Sequence, residues 1–169
     1  MLAISLKKSV HIHTIRRKDM TEFTNGYFQT MREIANGYYF DKPIRDTQKA
    51  ILIENGDEEG LKAWNEREKS LPFPFTQGYM NAFHAWEENT KHPAEIFTLE
   101  RLFCKEEAHD FIACLREAGV SEFAITDRSA DLMDLVHAFE KEGCTMKGQC
   151  EVKYSDNRRK AKTGILVSL

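Results

Sequence analysis

The chain has 169 residues, 41% hydrophobic and 30% charged, with a formal net charge of −3, a size and composition that support one well-cored domain and exclude wholesale disorder. Its longest apolar runs, such as Ala50 to Ile53 and Ile165 to Val167, fall far short of the roughly 20 residues a membrane-spanning helix needs. The charge is split, because residues 1–19 hold Lys7, Lys8, Arg16, Arg17 and Lys18 against Asp19, a local excess of +4 that leaves −7 for residues 20–169, and neither figure is extreme enough to name a nucleic acid as partner.

No apolar segment with a small-residue cleavage site follows the basic start, so the expectation is a cytoplasmic chain with no membrane association. Cys104, Cys114, Cys144 and Cys150 read as free thiols in a reducing compartment, since a chain of this size needs no stapling. Three regions are expected within one compact domain: a basic N-terminal extension at 1–19 that contributes little to the fold, a helical half at 20–95 and an α/β half at 96–169.

In the helical half, Phe23, Tyr27, Phe28, Met31 and Ile34 recur at helical spacing, with Gly37 as the expected stop. Pro43 then sits where a first helical turn tolerates proline, and Ile44, Gln48, Ile51 and Leu52 carry a second helix to the turn Asn55-Gly56. Asp57 is placed to cap a third helix through Leu61 and Trp64, with Lys62, Glu66 and Lys69 on its wet side. Leu71-Pro72-Phe73-Pro74-Phe75 reads as an extended connector, because each proline removes a donor and restricts the residue before it. Thr76 opens a fourth helix with the stripe Tyr79, Met80, Phe83 and Trp86, ending before Pro93.

In the α/β half, Glu95 to Cys104 is compatible with a strand or a short helix. Lys105 to Ala118 is helical and stops at Gly119; Glu122 to Thr126 is a strand. Ser129 is expected to cap a helix that buries Leu132, Leu135, Val136 and Phe139 and stops at Gly143. Thr145 to Tyr154 and Lys162 to Leu169 form two strands around the turn Ser155-Asp156-Asn157. The fold class is therefore α+β, an aromatic-rich helical N-terminal half packed on a small sheet layer with the order helix, strand, helix, strand, strand.

Few residues offer chemistry. His11-x-His13 would share a face on a strand, but further metal ligands are missing; Cys144 and Cys150 would lie roughly 20 Å apart along a strand, too far for one ion. Glu106, Glu107, His109 and Asp110 read as a solvated helix start whose acids complement the dipole. No catalytic residue, cofactor or metal is expected.

Binding surfaces are easier to place. Of the 18 aromatics, 12 lie between Phe23 and Trp86, and Tyr38-Tyr39-Phe40 is the cluster hardest to bury, since three consecutive side chains diverge. Asp127 and Arg128 stand where a strand ends and a helix begins, a place suited to anions. Lys153, Arg158, Arg159, Lys160 and Lys162 surround the last hairpin and suit an acidic surface or phosphates.

Two resemblances follow from these residues. Lys105 to Leu169, with a helix ending at Gly119, the strand Glu122 to Thr126, a helix ending Glu142-Gly143-Cys144 and two closing strands, resembles the C-terminal half of the acetyl-coenzyme A-dependent N-acetyltransferase fold. That family holds the cofactor pyrophosphate on a glycine-bearing loop, whereas the matching place here reads Arg101-Leu102-Phe103-Cys104-Lys105-Glu106. It also often uses a tyrosine as acid; Phe139 and Cys144 occupy the comparable places.

From Met20 onward, Tyr27-Phe28-Gln29-Thr30-Met31, Phe40-Asp41-Lys42-Pro43-Ile44, Pro72-Phe73-Pro74-Phe75-Thr76, His109-Asp110-Phe111-Ile112 and Leu132-Met133-Asp134 resemble a family of small uncharacterised proteins of Gram-positive gut bacteria, often encoded on conjugative elements. That resemblance implies a bacterial accessory protein of a mobile element. Proteins of that setting often act by binding, for example against a host restriction or CRISPR nuclease. The expected function is accordingly non-catalytic binding of a protein or a protein–nucleic acid complex, with homo-oligomerisation compatible. The alternative is a degenerate or divergent acetyl-coenzyme A-dependent acyltransferase-like enzyme.

Overall fold

A computed structural model describes residues 2–69, 73–156 and 158–169, with the side chains of residues 22–39 and of all those from 41 onward. The architecture is α+β. Three helices, α1 (Leu2–Glu54), α2 (Glu58–Lys69) and α3 (Gln77–Lys91), precede strand β1 (Phe97–Leu99), a 3₁₀ turn at Lys105–Glu107, helix α4 (Ala108–Glu117), strand β2 (Glu122–Ile125), helix α5 (Leu132–Lys141) and strands β3 (Thr145–Val152) and β4 (Lys162–Ser168). The chain divides into two compact units, one comprising Met1–Phe28 with Gln77–Leu169 and the other Gln29–Thr76.

In the first unit the four strands are ordered β1-β2-β4-β3. β1 pairs parallel with β2, and β4 lies antiparallel to both β2 and β3. The core is built on aromatic rings: Phe111 of α4, Phe123 of β2 and Phe139 of α5 are fully buried, with ring centroids 5.6 to 5.9 Å apart. The strand pattern that buries Phe123 and the helical spacing that buries Phe111 and Leu115 thus converge on one cluster. Helix α3 joins it closely: a Cβ on Gly78 would stand 2.6 Å from the Glu107 carbonyl oxygen and from Asp110 Cβ.

The glycines that end helices do so by geometry. Gly56, Gly119 and Gly143 have φ of 64°, 76° and 84°, the left-handed conformation in which a side chain costs energy. Gly119 N donates to Arg116 O and Val120 N to Leu115 O, closing the last carbonyls of α4. Asp57 caps α2 as its position predicts, Oδ1 accepting from Gly60 N at 2.8 Å.

Four expectations are corrected. Gly37 does not stop a helix and Pro43 does not start one, since α1 runs unbroken through both. Gly37 keeps a negative φ, and Pro43 leaves only the carbonyl four residues before it without its helical donor, so the helix continues past both. Ser129 is not the cap of α5, which begins at Leu132; Ser129 N is drawn instead to Asp127 Oδ1 at 2.8 Å. On α5 itself Leu135 and Phe139 are buried, whereas Leu132 and Val136 are only half-buried.

Glu95 to Cys104 resolves into the short strand β1 and a loop. The backbone of residues 2–19 belongs to α1, so His11 and His13 are not on a strand. Their side chains, that of Phe40, and Leu71, Pro72 and Asn157 lie outside the described residues. No described helix is long and apolar enough to cross a membrane.

Candidate functional site

The basic hairpin is largely engaged within the protein. Glu100, following β1, accepts from the Tyr154 hydroxyl at 2.7 Å, from Arg159 Nη1 at 2.8 Å and from Lys162 Nζ at 3.3 Å, and Arg159 also stacks its guanidinium 5.0 Å from the Tyr154 ring centre. Burial opposes ionisation of Glu100 most strongly, yet the Tyr154 hydroxyl and the two cations together hold its carboxyl below the ordinary value. Burial and the same bond push the Tyr154 hydroxyl up to about 12. Lys153 pairs with Glu151 at 3.7 Å, and Arg158 and Lys160 are exposed. Of the five cations clustered in sequence, Arg159 and Lys162 converge on Glu100, while Lys153, Arg158 and Lys160 are exposed.

Asp127 is likewise a structural group. Its Oδ1 accepts from Ser129 N and its Oδ2 from Leu102 N at 3.2 Å, so it ties the β1–α4 loop to the β2–α5 loop. The Ser129 N–H chiefly, against the opposition of burial, holds its carboxyl below the usual range. Arg128 is exposed.

Residues 102–106, with Asp131, Asp134 and Leu135, line a cavity of about 390 Å³ beyond the ends of β1 and β2. All three residues of β1 register with β2, and Thr126 N donates to Leu99 O at 3.1 Å, so the two parallel strands remain bonded to their ends. No cluster of three or more metal-ligating side chains occurs among the described residues. The four cysteines are free thiols, and burial raises that of Cys114 to about 12, which makes it a poor nucleophile.

The unit Gln29–Thr76 carries the least buried apolar surface. Helix α2 has no buried residue, and Arg45 Nε to Glu68 Oε2 at 3.1 Å and Arg67 Nη2 to Gln48 Oε1 at 3.3 Å tie it antiparallel to the end of α1. Tyr38 and Tyr39 both rest on Phe73, with ring centres 5.2 and 5.6 Å from it. Tyr39 is nevertheless 56% exposed, and Ile44, Ile51 and Ile53 are 53%, 51% and 58% exposed. Ile44 and Ile51, members of the stripe expected to face inward, are thus exposed.

Residues 81–167 match a family model described as "Domain of unknown function (DUF7698)", more than half of the chain, which therefore belongs to that family. Neither a curated protein nor a solved structure matches. The matched segment lies wholly within the sheet-bearing unit, and the helical unit Gln29–Thr76 stands outside it.

Proposed function

We propose that this member of the family is a non-catalytic binding protein whose contact surface is the helical unit, with Ile44 and Ile51, which share a face of α1, as its apolar anchors. The observation that carries the reading is that α1 exposes both side chains, seven residues apart on one face, while α2 beside it buries none of its own residues. Contiguous exposed apolar surface marks interaction sites, and a few buried anchors carry most of an interface's energy.

The partner we infer is a protein, alone or with nucleic acid, in the bacterial cytoplasm. A host-defence nuclease of the restriction or CRISPR type fits the accessory, mobile-element setting suggested by the residues from Met20 onward. The test is a cleavage assay over a panel of such nucleases with the full chain and with the double variant Ile44→Glu, Ile51→Glu. Inhibition by the parent protein, lost in the variant and little changed by salt, supports the reading. Equal behaviour of parent and variant against every nuclease overturns it.

A divergent acetyl-coenzyme A-dependent acyltransferase is the second reading, favoured by the order helix, strand, helix, strand, strand between Lys105 and Leu169. The pairing of β1 along its whole length and the carboxylates Glu106, Asp131 and Asp134 in the adjoining cavity count against it. An acetyl-coenzyme A titration decides, because a ligand at 100 times its Kd stabilises by about 2.7 kcal/mol; an unmoved melting temperature removes this alternative.

A further inference from the structure

The sheet-bearing unit contains a cleft of about 500 Å³ that the proposed function does not use. It lies where the loops entering the parallel strands β1 and β2 meet the inner side of α3 and the stretch of α1 around Asn25. A volume of this size suits a small organic molecule. Trp86, Ile96, Phe97 and Val120 supply its apolar lining, and Trp86 is held in place by stacking on the buried Phe28 ring at 5.5 Å.

The polar groups decide what kind of molecule fits. Trp86 Nε1 can only donate, and it donates to Asn25 Oδ1 at 2.9 Å. That contact fixes the orientation of the Asn25 amide, leaving its Nδ2 hydrogens to a ligand acceptor. The lining includes two exposed carboxylates, Glu95 and Glu122, and no lysine, arginine or histidine. Neither glutamate enters an ion pair among the described residues; the neighbouring cations are taken, Lys91 by Glu88 and Lys153 by Glu151. The cleft is therefore apolar inside and negatively charged at its margin, with no cation paired to either carboxylate among the described residues.

We propose that this cleft binds a small organic cation, an ammonium joined to a flat or aliphatic body that bears a hydrogen-bond acceptor. The body packs on Ile96, Phe97 and Val120 beside the buried Trp86, the ammonium meets Glu95 and Glu122, and the acceptor takes the Asn25 amide. An anion is disfavoured by the same two carboxylates, and a neutral molecule gains the apolar contact and the amide bond but no ion pair.

Three probes with one ring and one hydroxyl but different charge test this: tyramine, 4-ethylphenol and 4-hydroxyphenylacetate. The readout is the indole N–H signal of Trp86 in the full chain, with Trp64, in the other unit, as internal control and Trp64→Phe to assign the two. Tyramine is expected to shift the Trp86 signal alone and to bind about threefold or more tightly than 4-ethylphenol, the factor expected of an exposed ion pair. 4-Hydroxyphenylacetate is expected to bind weakest. Glu95→Gln with Glu122→Gln, both exposed and so tolerated by the fold, should bring tyramine down to the level of 4-ethylphenol. Equal binding of all three probes, an unaffected double variant, or a Trp86 signal unmoved by tyramine at millimolar concentration overturns the proposal.

Discussion

Asn89 holds both backbone groups of Thr98: its Oδ1 accepts from Thr98 N at 2.9 Å and its Nδ2 donates to Thr98 O at 2.8 Å. β1 is the outermost strand of its sheet on that side, and an unpaired strand edge invites pairing with another chain. One side-chain amide from α3 thus occupies the hydrogen-bonding positions a further strand would use. Asn89→Leu is expected to cost about 1 to 3 kcal/mol, the penalty of leaving buried groups unpaired, and to raise the tendency to aggregate. Urea unfolding and sedimentation check the two effects; a variant as stable and as dispersed as the parent would show that the amide does not guard the edge.

Gly78 is required by proximity, since its α3 backbone meets the start of α4 with no room for a methyl group. Gly78→Ala improves helix propensity, but the clash is with backbone atoms, which cannot swing away. The overpacking cost of about 1 to 3 kcal/mol should win. Chemical denaturation measures the balance, and a more stable variant would mean that α3 and α4 separate easily.

His109 of α4 and Glu142, just beyond α5, lie 2.7 Å apart. The hydrogen bond to Glu142, then its charge, raises the His109 pKa above its usual value. A raised histidine pKa means that any stabilisation by the pair is complete below the unfolded-state pKa and disappears as pH rises through the folded-state pKa. An NMR titration of the imidazole should therefore give a raised pKa in the parent and an ordinary one in Glu142→Gln. Identical titrations would show that the contact is not kept in solution.

What the sequence reveals is local. Gly119 and Gly143 announce their helix ends because a left-handed residue favours glycine, and Asp57 announces a cap because its side chain reaches a backbone N–H three residues on. Gly37 and Pro43 mislead because the same residue types are also carried within a helix when other contacts hold it. Arg159 and Lys162 look like a free basic surface because their common acceptor, Glu100, is 59 and 62 residues away. The cleft is illegible for the same reason, with Asn25 and Trp86 separated by 61 residues. The exposure of Ile44 and Ile51 is also hidden, since a helical stripe shows which residues share a face and not whether anything covers it.

Arg158 and Arg159 are adjacent and chemically alike, yet the fold separates their roles. Arg159 is part of the Glu100 cluster, where the carboxylate's side chain is 14% exposed and the arginine's 28%, while Arg158 stands in solvent. Arg159→Ala leaves Glu100 with Lys162 and Tyr154 alone, and is expected to cost about 1 to 2 kcal/mol, in the range of a hydrogen bond to a charged group that is partly solvated. Arg158→Ala should fall within about 0.5 kcal/mol of the parent. Because the Glu100 pKa is lowered in the folded protein, the advantage of the parent over Arg159→Ala should be fully present above the ordinary carboxylate pKa. It should fade as pH falls through the depressed value, where Glu100 takes up its proton. Denaturation curves of the three proteins between neutral and strongly acidic pH separate charge from packing. A difference that survives protonation of Glu100 would assign the work of Arg159 to its stacking on Tyr154, and equal costs for the two alanine variants would remove the distinction drawn between the bound and the free cations of this hairpin.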